Sequence, residues 1–403
     1  MELIDAPRVV MVVRLFSPWV GGMERQAHKL AAAMNRAGLA HVRIVTGRWF
    51  PGTAVEEVID GVPIHRHAAL YGERGVRGLR KLGAIAYMVS LFVHLVRTRR
   101  SYAVIHVHGL SYHAAVCRLV SLVTRRPMIV KLANAGDASD IAKMRRGQHF
   151  PGTRLLLGLA LGGDRYVALN PEISDELVRA GVAVDRIVDI PNGVEVAPQA
   201  DSSSGTTAGA LRLVYVGRLH AQKNLDTVLH ALATGRVSAD GLAVLDVVGD
   251  GPDRERLESI VETEGLANAV RFHGTSDRVG GFLAQADALV LPSRAEGMSN
   301  ALLEAMAAGV PGIVSAIPGN TSVVTDGLDG FVFELGDTVG LATLLARLAA
   351  DRPALARAGA EARGTIKSRF SLEAIAARYR AEYDGLGRAP ARPDDRHLSE
   401  EHG

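Results

Sequence analysis

Residues 292–311 read PSRAEGMSNALLEAMAAGVP, the pattern of a polar loop followed by an amphipathic helix. Ser299 or Asn300 can cap the start of this helix, and Gly309 followed by Pro311 ends it. The preceding residues read ALVL, which is typical of a strand buried on both faces. A strand, a loop and a helix in this order form the unit of a parallel α/β sheet. The free N–H groups at the start of such a helix can bind an anion.

Two glutamates flank the start of that helix, Glu296 in the loop and Glu304 in the second helical turn. Carboxylate acceptors beside an anion site suit a ligand whose hydroxyls flank a diphosphate, such as a nucleotide sugar. Paired glutamates are also common as solvated loop and helix charges, so the spacing alone leaves both interpretations open.

Length and composition indicate the broad class of protein. A chain of 403 residues is too long for one ordinary domain, and its 43 glycines and hydrophobic content of 48% fit a two-domain α/β protein. The single cysteine, Cys117, excludes an internal disulfide framework and fits a reducing compartment. The acidic segment Met1–Pro7 does not fit a signal peptide. We therefore predict a cytoplasmic protein, and the sequence contains no His and Cys cluster that predicts a metal or other cofactor.

Charge is divided unevenly along the chain. Residues 1–190 contain 26 Lys and Arg against 15 Asp and Glu, a net charge of +11, whereas residues 191–403 contain 20 against 28, a net charge of −8. A basic half predicts an acidic partner, either a membrane surface or a nucleic acid. No basic motif interleaved with aromatic residues accompanies this charge, so we predict no nucleic-acid partner.

The segment Leu82–Val96 is apolar and carries no Asp, Glu, Lys or Arg. It is shorter than the roughly 20 residues that cross a bilayer. Two interpretations stay open, a helix that lies at the inner face of a membrane and a helix that is buried against a sheet. The flanking basic residues are Arg77, Arg80, Lys81, Arg97, Arg99 and Arg100.

Two glycines, Gly21 and Gly22, stand between an apolar strand, residues 9–13, and a helix predicted from about Glu24 to Asn35. Folds of the α/β class bring backbone amides to a phosphate in this way. A tight turn without a ligand explains the glycine pair equally well.

Two histidines alternate in the strand predicted for residues 103–109. His108 stands at the carboxyl end of this strand, where ligands of open parallel sheets bind, and His106 is predicted to pack or to make a structural hydrogen bond. Lys131 lies inside another apolar strand, residues 128–132. Its ammonium either approaches an acidic acceptor or extends to the edge of the sheet.

Arg218 and Lys223 follow a strand predicted for residues 211–217. A planar guanidinium and a compact ammonium at one strand end suit a diphosphate.

Earlier in the chain, we predict a polar, basic loop over residues 137–147, and residues 166–170 as the last strand of the first domain. The predicted organisation is an N-terminal domain of residues 1–195, a linker of 196–210, a C-terminal domain of 211–370, a final helix of 371–387 and a disordered tail of 388–403.

Five motifs along the chain resemble those of the retaining GT-B glycosyltransferases called the GT4 family. EGMSNALLE, from Glu296 to Glu304, resembles the E-x7-E motif of the family, and HVH, from His106 to His108, resembles its H-x-H motif. GRLHAQKN at 217–224 resembles the diphosphate-binding loop, and PNGVE at 191–195 and GDGP at 249–252 resemble two turns. The resemblance covers nearly the whole chain. It implies an α/β GT-B fold, in which two Rossmann-like, doubly wound parallel sheets face a central cleft.

The resemblance also implies a reaction and the residues that perform it. A sugar would move from a nucleoside-diphosphate sugar to an acceptor hydroxyl, with retention at the anomeric carbon and without a metal or other cofactor. The acceptor stays open between a lipid-linked saccharide, a polysaccharide and a small molecule. The implied catalytic residues are His108, Arg218, Lys223 and Glu296, the donor-binding residues are Gly21, Gly22, Gly297, Met298, Ser299, Asn300 and Glu304, and Lys131 lies on the acceptor side.

An alternative from another class is a regulatory or scaffold protein that binds a nucleotide sugar without transferring it. The presence of every motif residue at once argues against the decay of a catalytic site. The resemblance also implies that the final helix, residues 371–387, packs back on the N-terminal domain.

Overall fold

The computed structural model describes residues 6–18, 21–69, 79–136, 139–147, 153–196, 209–234, 237 and 241–388, and the side chains of 79–81, 153 and 388 are excepted. Two parallel sheets dominate the fold, and each is covered by helices on both faces. The predicted linker and tail lie almost wholly outside the described residues.

The N-terminal sheet has eight strands. They lie side by side in the order β3-β4-β2-β1-β5-β6-β7-β8, and only the pairing of β3 with β4 is antiparallel. The chain order reverses between β1 and β5, and the carboxyl ends of these two strands therefore border a crevice that can hold a ligand. The strands are β1 (Arg8–Val13), β2 (His41–Arg48), β3 (Glu56–Ile59), β4 (Val62–Ala68), β5 (Val104–His108), β6 (Met128–Lys131), β7 (Arg165–Ala168) and β8 (Ile187–Asp189).

Alternate residues of β1 serve the two faces of this sheet. Met11 belongs to a buried apolar cluster with Leu30 and Tyr379, whereas Val12 belongs to a separate cluster with Tyr87 and Val107. This division is the period-two alternation of a strand that is covered on both sides. The helices of this domain are α1 (Gly22–Arg36), α2 (Leu79–Arg97), α3 (Tyr112–Thr124), α4 (Asp140–Arg145), α5 (Thr153–Ala160) and α6 (Pro171–Arg179).

Two predictions for the N-terminal domain are wrong. Residues 137–147 contain the helix α4, because Ser139 caps it by accepting the N–H of Ala142 at 2.9 Å and Ile141 and Met144 are buried. The strand β7 is not the last, because β8 pairs with it. The three residues of β8 are too short and too mixed in polarity to show a strand pattern.

The C-terminal sheet has six strands, all parallel, in the order β11-β10-β9-β12-β13-β14. This is the doubly wound strand order of Rossmann-like folds, and the reversal between β9 and β12 makes a second crevice. The predicted fold class is confirmed. The strands are β9 (Leu211–Val216), β10 (Ala243–Val248), β11 (Val270–Gly274), β12 (Ala288–Leu291), β13 (Gly312–Ser315) and β14 (Gly330–Phe333).

Several helices of the second half have no counterpart in the sequence predictions. The pair α12 and α13 covers the end of the sheet near β14 and buries Leu341, Leu345 and Leu355. The described helices of this half are α7 (Leu225–Ala233), α8 (Arg254–Thr263), α9 (Val279–Leu283), α10 (Asn300–Ala307), α11 (Pro318–Thr321), α12 (Thr338–Ala350), α13 (Arg352–Thr365) and α14 (Leu372–Arg388).

The last helix, α14, returns to the N-terminal domain and packs beside α1. The hydroxyl of Tyr383 lies 2.7 Å from Nδ1 of His106 on β5, and Tyr379 is fully buried nearby. The backbone N–H of Val194 also donates to the carbonyl of Phe370 at 2.9 Å, just before α14 begins. The helix therefore ties the end of the chain to the core of the first domain.

The helix α2 has one buried and one exposed apolar face. Tyr87, Leu91 and Leu95 are fully buried, and Tyr87 stacks on Trp49 with ring centroids 4.9 Å apart. Leu82 and Val89 are 54% and 59% exposed on the opposite face. The buried face confirms packing against the sheet, and the exposed face leaves a surface contact open. None of the described helices is long and apolar enough to cross a membrane.

Candidate active site

A cleft of about 420 Å³ lies between the two domains. The N-terminal domain contributes Gly136 and Glu172 to its lining, and the C-terminal domain contributes the loop that follows β12. This loop contains Glu296, which is only 8% exposed. The lining residues that the C-terminal domain contributes are Gln222, Arg294, Ala295, Glu296, Ile317 and Pro318.

The structure brings Lys223 to Glu296, a residue of the cleft lining. The ammonium of Lys223 donates to Oε1 of Glu296, and the hydroxyl of Ser293 donates to the same oxygen at 2.7 Å. The short helical turn that carries Lys223 ends at Asn224, which has a φ of 55° and whose amide donates to the carbonyl of Pro292 at 3.1 Å. This bond fixes the cation against the glutamate loop, so that Lys223 lies beside a carboxylate of the cleft lining.

Arg218 lies two residues beyond the end of β9 and is exposed. Within the described part of the chain, its guanidinium makes no hydrogen bond or ion pair, whereas its carbonyl accepts the hydroxyl of Tyr215 at 3.0 Å. The backbone of Arg218 is therefore fixed and its charge is available to a ligand.

The helix α10 begins at the junction of the two domains. Ser299 caps it by accepting the N–H of Leu302 at 3.4 Å, as predicted. The side chain of Asn300 donates to the carbonyl of Gly22 at 2.9 Å and accepts from Gln26 at 2.9 Å and from Asn192 at 3.1 Å. Asn300 thus connects the start of α10 to the turn that starts α1.

Both predicted glycines of the α1 turn lie at close approaches. A Cβ at Gly21 would meet the carboxylate of Glu24, and a Cβ at Gly22 would lie 3.1 Å from the amide nitrogen of Asn300. The carboxylate of Glu24 accepts backbone hydrogen bonds from Gly21 and from its own residue, and burial raises its pKa. In this structure Glu24 therefore occupies the amide of Gly21, one of the two glycines that the sequence predicts near a diphosphate.

The two domains approach each other closely at Gly297. A Cβ there would overlap the carbonyl oxygen of Ala133 in the loop after β6. The side-chain amide of Asn170 donates to the carbonyl of Gly297 at 2.6 Å. The adjacent Met298 is 7% exposed, and its sulfur accepts the N–H of Asn192 at 3.3 Å. Only glycine fits at this position while the cleft is closed.

Glu304 pairs with a residue of the other domain. Its Oε1 lies 2.7 Å from Nζ of Lys29 on α1, and the two side chains are 27% and 30% exposed. The sequence does not single out Lys29 or Gln26, and it indicates Asn192 only as part of the PNGVE turn, because a polar residue on a helix or turn carries no local sign of a contact across a cleft.

His106, His108 and Lys131 form a buried group behind the cleft. His108 is fully buried, and neither of its ring nitrogens has a hydrogen-bond partner in the described structure. Burial, with the nearby positive charge of Lys131, lowers the pKa of His106 to about 3 and that of His108 well below its usual value. Burial lowers the pKa of Lys131 to about 7. Lys131 is 4% exposed, so the predicted alternative of extension to the sheet edge is wrong.

No three His, Cys, Asp or Glu side chains of the described residues come together as a group that could hold a metal ion. Buried Cys117 lies in α3, away from the cleft residues, and burial raises the pKa of its thiol. A raised thiol pKa disfavours a nucleophile and fits a packing role.

Two doubly wound parallel sheets that face each other across a cleft define the GT-B class of glycosyltransferases. The family model described as "Glycosyl transferase 4-like domain" matches residues 21–193, and the model described as "Glycosyl transferases group 1" matches residues 210–351. The chain belongs to this family, the GT4 glycosyltransferases, which use nucleotide sugars. The family predicted from the motifs is confirmed.

Relatives match different shares of the chain. The lipopolysaccharide core biosynthesis glycosyltransferase LpsD of Rhizobium meliloti is 31% identical over 230 residues, which cover 57% of this chain and 66% of LpsD. Glycogen synthase of Mycobacterium tuberculosis is 27% identical over 409 residues, which cover 96% of this chain and 97% of that protein. The structure of Anabaena HepE in complex with UDP-glucose is similar in fold, with a TM-score of 0.72 and 20% identity over 94% of this chain and 99% of HepE.

Proposed function

We propose that this glycosyltransferase is a retaining enzyme that moves a sugar from a nucleoside-diphosphate sugar to an acceptor hydroxyl in cell-envelope polysaccharide or glycolipid synthesis. The observation that carries the proposal is the ion pair between Lys223 and Glu296, a carboxylate that lines the interdomain cleft. A cation and a carboxylate held side by side can serve the two halves of the donor, the diphosphate and the sugar hydroxyls.

Negative charge grows on the diphosphate as its bond to the anomeric carbon breaks. The charges of Lys223 and Arg218 and the N–H groups at the start of α10 oppose that growth, which is the kind of electrostatic help that lowers a barrier most. Glu296 would accept hydrogen bonds from sugar hydroxyls, and Glu304 from the ribose. The acceptor oxygen would attack from the face that the diphosphate leaves and pass its proton to a departing phosphate oxygen, which yields retention.

The two cations supply the charge that a divalent metal supplies in other phosphoryl sites, so we propose activity without a metal. The donor nucleotide is proposed to contain uridine, because HepE, similar in fold, was solved with UDP-glucose. The acceptor is proposed to be a lipid-linked saccharide or polysaccharide, because relatives such as LpsD act in lipopolysaccharide core biosynthesis.

The proposal is tested with a panel of UDP-, GDP- and ADP-sugars and candidate acceptors. Release of free nucleoside diphosphate should depend on an acceptor and survive EDTA, and the product should keep the anomeric configuration of the donor in proton NMR. Binding of an intact donor without release under any acceptor would favour the alternative, a regulatory or scaffold protein. An inverted product would refute the retaining mechanism.

A membrane contact is proposed for α2 and its neighbour α3. Val89 is 59% exposed, and Leu122 and Val123 on α3 are 45% and 63% exposed. Arg99 and Arg100, just past the end of α2, are exposed, and residues 79–136 contain no Asp or Glu. An exposed apolar face bordered by arginines suits an anionic lipid surface. We therefore place the enzyme at the inner, cytoplasmic face of the membrane, where a lipid-linked acceptor would be.

A further inference from the structure

His108 and Lys131 are paired neighbours at the carboxyl ends of β5 and β6. Both are almost completely buried, at 0% and 4% exposure. In the described structure, the one recorded contact of the Lys131 ammonium is the face of Tyr379, 5.7 Å away, and no carboxylate pairs with it. The ring of His106, 4.3 Å from that of His108, is kept neutral by burial. The group thus contains one potential positive charge and no counter-charge.

Such a group is costly unless something completes it. A buried ammonium without a partner loses its hydration without compensation, and buried polar atoms in folded proteins nearly always have hydrogen-bond partners. Here Nδ1 and Nε2 of His108 are both unsatisfied, beside an ammonium that only an aromatic face contacts. Unsatisfied donors and acceptors that converge at one place indicate the position of a ligand group.

The group lies beside the loop that approaches the other domain. Lys131 is two residues before Ala133, whose carbonyl lies against Gly297 of the other domain. His108 ends β5, the strand that borders the crevice of the N-terminal sheet next to β1. A substrate group that reaches the carboxyl ends of β5 and β6 would therefore meet His108 and Lys131 on the N-terminal side.

We propose that Lys131 and His108 form a subsite for an anionic group, a carboxylate or a phosphate, on a substrate of this enzyme. A neutral hydroxyl would leave the ammonium without a counter-charge, whereas an anion would pair with it and accept a hydrogen bond from an N–H of His108. The inference rests on the proposed glycosyl transfer and adds that one of the two substrates is acidic. The anion belongs either to the donor sugar, as in a uronic acid, or to the acceptor.

The first arm of the test compares two donors that differ at one group. UDP-glucose and UDP-glucuronate are titrated into wild type, Lys131→Gln and Lys143→Gln by calorimetry, after UDP alone has been shown to bind all three. Lys143 lies on α4 of the same domain and is partly exposed, so it serves as the matched control. If the anion belongs to the donor sugar, wild type and Lys143→Gln should bind UDP-glucuronate more tightly than UDP-glucose by on the order of tenfold or more. Lys131→Gln should bind the two donors equally.

The second arm titrates inorganic phosphate into the complex with UDP, in which the diphosphate site is already occupied. If the anion belongs to the acceptor, wild type and Lys143→Gln should bind phosphate on the order of tenfold more tightly than Lys131→Gln does. Equal behaviour of wild type and Lys131→Gln in both arms, with UDP binding intact, overturns the subsite. Absence of binding by UDP, GDP and ADP would instead count against the proposed function.

The pH dependence of wild type tests the subsite without any variant, in case Lys131→Gln fails to fold. The charged and titratable groups that face Lys131 are His106 and His108, both neutral above their lowered pKa values, and Tyr379 from α14. Free Lys131 loses its proton above a pKa of about 7, so the preference for the anionic probe should fall by up to tenfold per pH unit above that value. A preference that is constant from about pH 6.5 to 9 overturns the role of the ammonium.

Discussion

Lys29 on α1 and Glu304 on α10 form an ion pair of 2.7 Å that joins the two domains across the cleft. They are 275 residues apart in the chain. Both side chains are about one third exposed, so solvent screens the pair and its contribution to the free energy of unfolding is small. The pair matters because it fixes the position of Glu304, the predicted hydrogen-bond acceptor for the ribose, against α1.

Replacing Glu304 by Ala should raise the donor KM and change kcat little. A ribose contact is present in both the ground state and the transition state, so its loss weakens binding uniformly. Lys29→Met is the control, because it removes the ion pair and leaves the carboxylate, and its donor KM should be no higher than that of wild type. An equal rise in both variants would assign the effect to the ion pair and exclude the ribose contact.

Replacing Arg218 or Lys223 by Ala should lower kcat by roughly 10²-fold or more, by comparison with the loss of one oxyanion donor. The diphosphate gains charge as it departs, so the transition state loses more than the bound substrate. Steady-state kinetics with a saturating acceptor measures this split. Arg212→Ala, a change at a partly buried position of β9 that removes a bond to Gln285, should leave kcat unchanged. Turnover near wild type in both site variants would contradict the assignment.

Replacing Gly297 by Ala should hold the cleft open. The added methyl group would overlap the carbonyl oxygen of Ala133, and separating the domains relieves that overlap without disturbing either core. We expect a larger radius of gyration in X-ray scattering and a lower kcat/KM, with the melting temperature little changed. Gly280→Ala on α9, where the added methyl group meets no atom within 4 Å, is the control. If Gly297→Ala has the radius of gyration and the kcat/KM of wild type, the close contact between Gly297 and Ala133 is not required for activity.

His106 should make stability depend on pH. Its pKa is lowered from 6.5 to about 3 in the folded chain, chiefly by burial. The unfolded chain therefore binds a proton near pH 6.5 that the folded chain rejects, and the free energy of unfolding falls as pH drops from 6.5 toward 3. The slope approaches about 1.4 kcal/mol per pH unit for one group.

Urea unfolding of wild type and His106→Gln at several pH values isolates this contribution. The variant should lose less stability between about pH 6.5 and 4, because other titrating groups cancel in the difference between the two proteins. Identical pH profiles would mean that folding does not lower the pKa of His106.

The exposed face of α2 should bind anionic vesicles at low salt. Leu82→Gln with Val89→Gln removes apolar contact, and replacing Arg97, Arg99 and Arg100 by Gln removes about 1 kcal/mol of attraction for each arginine that reaches the lipid. Co-sedimentation with phosphatidylglycerol vesicles measures both effects. Val339→Gln, an equally apolar change at a 71% exposed site on α12, should behave as wild type. A wild type that ignores these vesicles at low salt would exclude the contact.

The sequence by itself determined the class of fold and most of the strands that carry it. The run 288–291 predicts a buried strand because all four of its side chains are apolar, and all four are buried. The run 211–216 is mainly apolar, and only Arg212 and Val216 are partly buried. The cap at Ser299 is equally local, since it depends on Leu302, three residues further on. The family motifs then indicated which loops face the cleft.

Only the tertiary structure decided which side chains meet. The pairing of Lys29 with Glu304, the contacts of Asn300 with Gly22 and Gln26, and the overlap at Gly297 all join residues more than 100 positions apart. Such contacts depend on how two sheets face each other, and no local pattern of hydrophobicity records that arrangement. The burial of His108 and Lys131 is likewise a property of α14 and the sheet together, because it is the return of α14 that closes the site behind them.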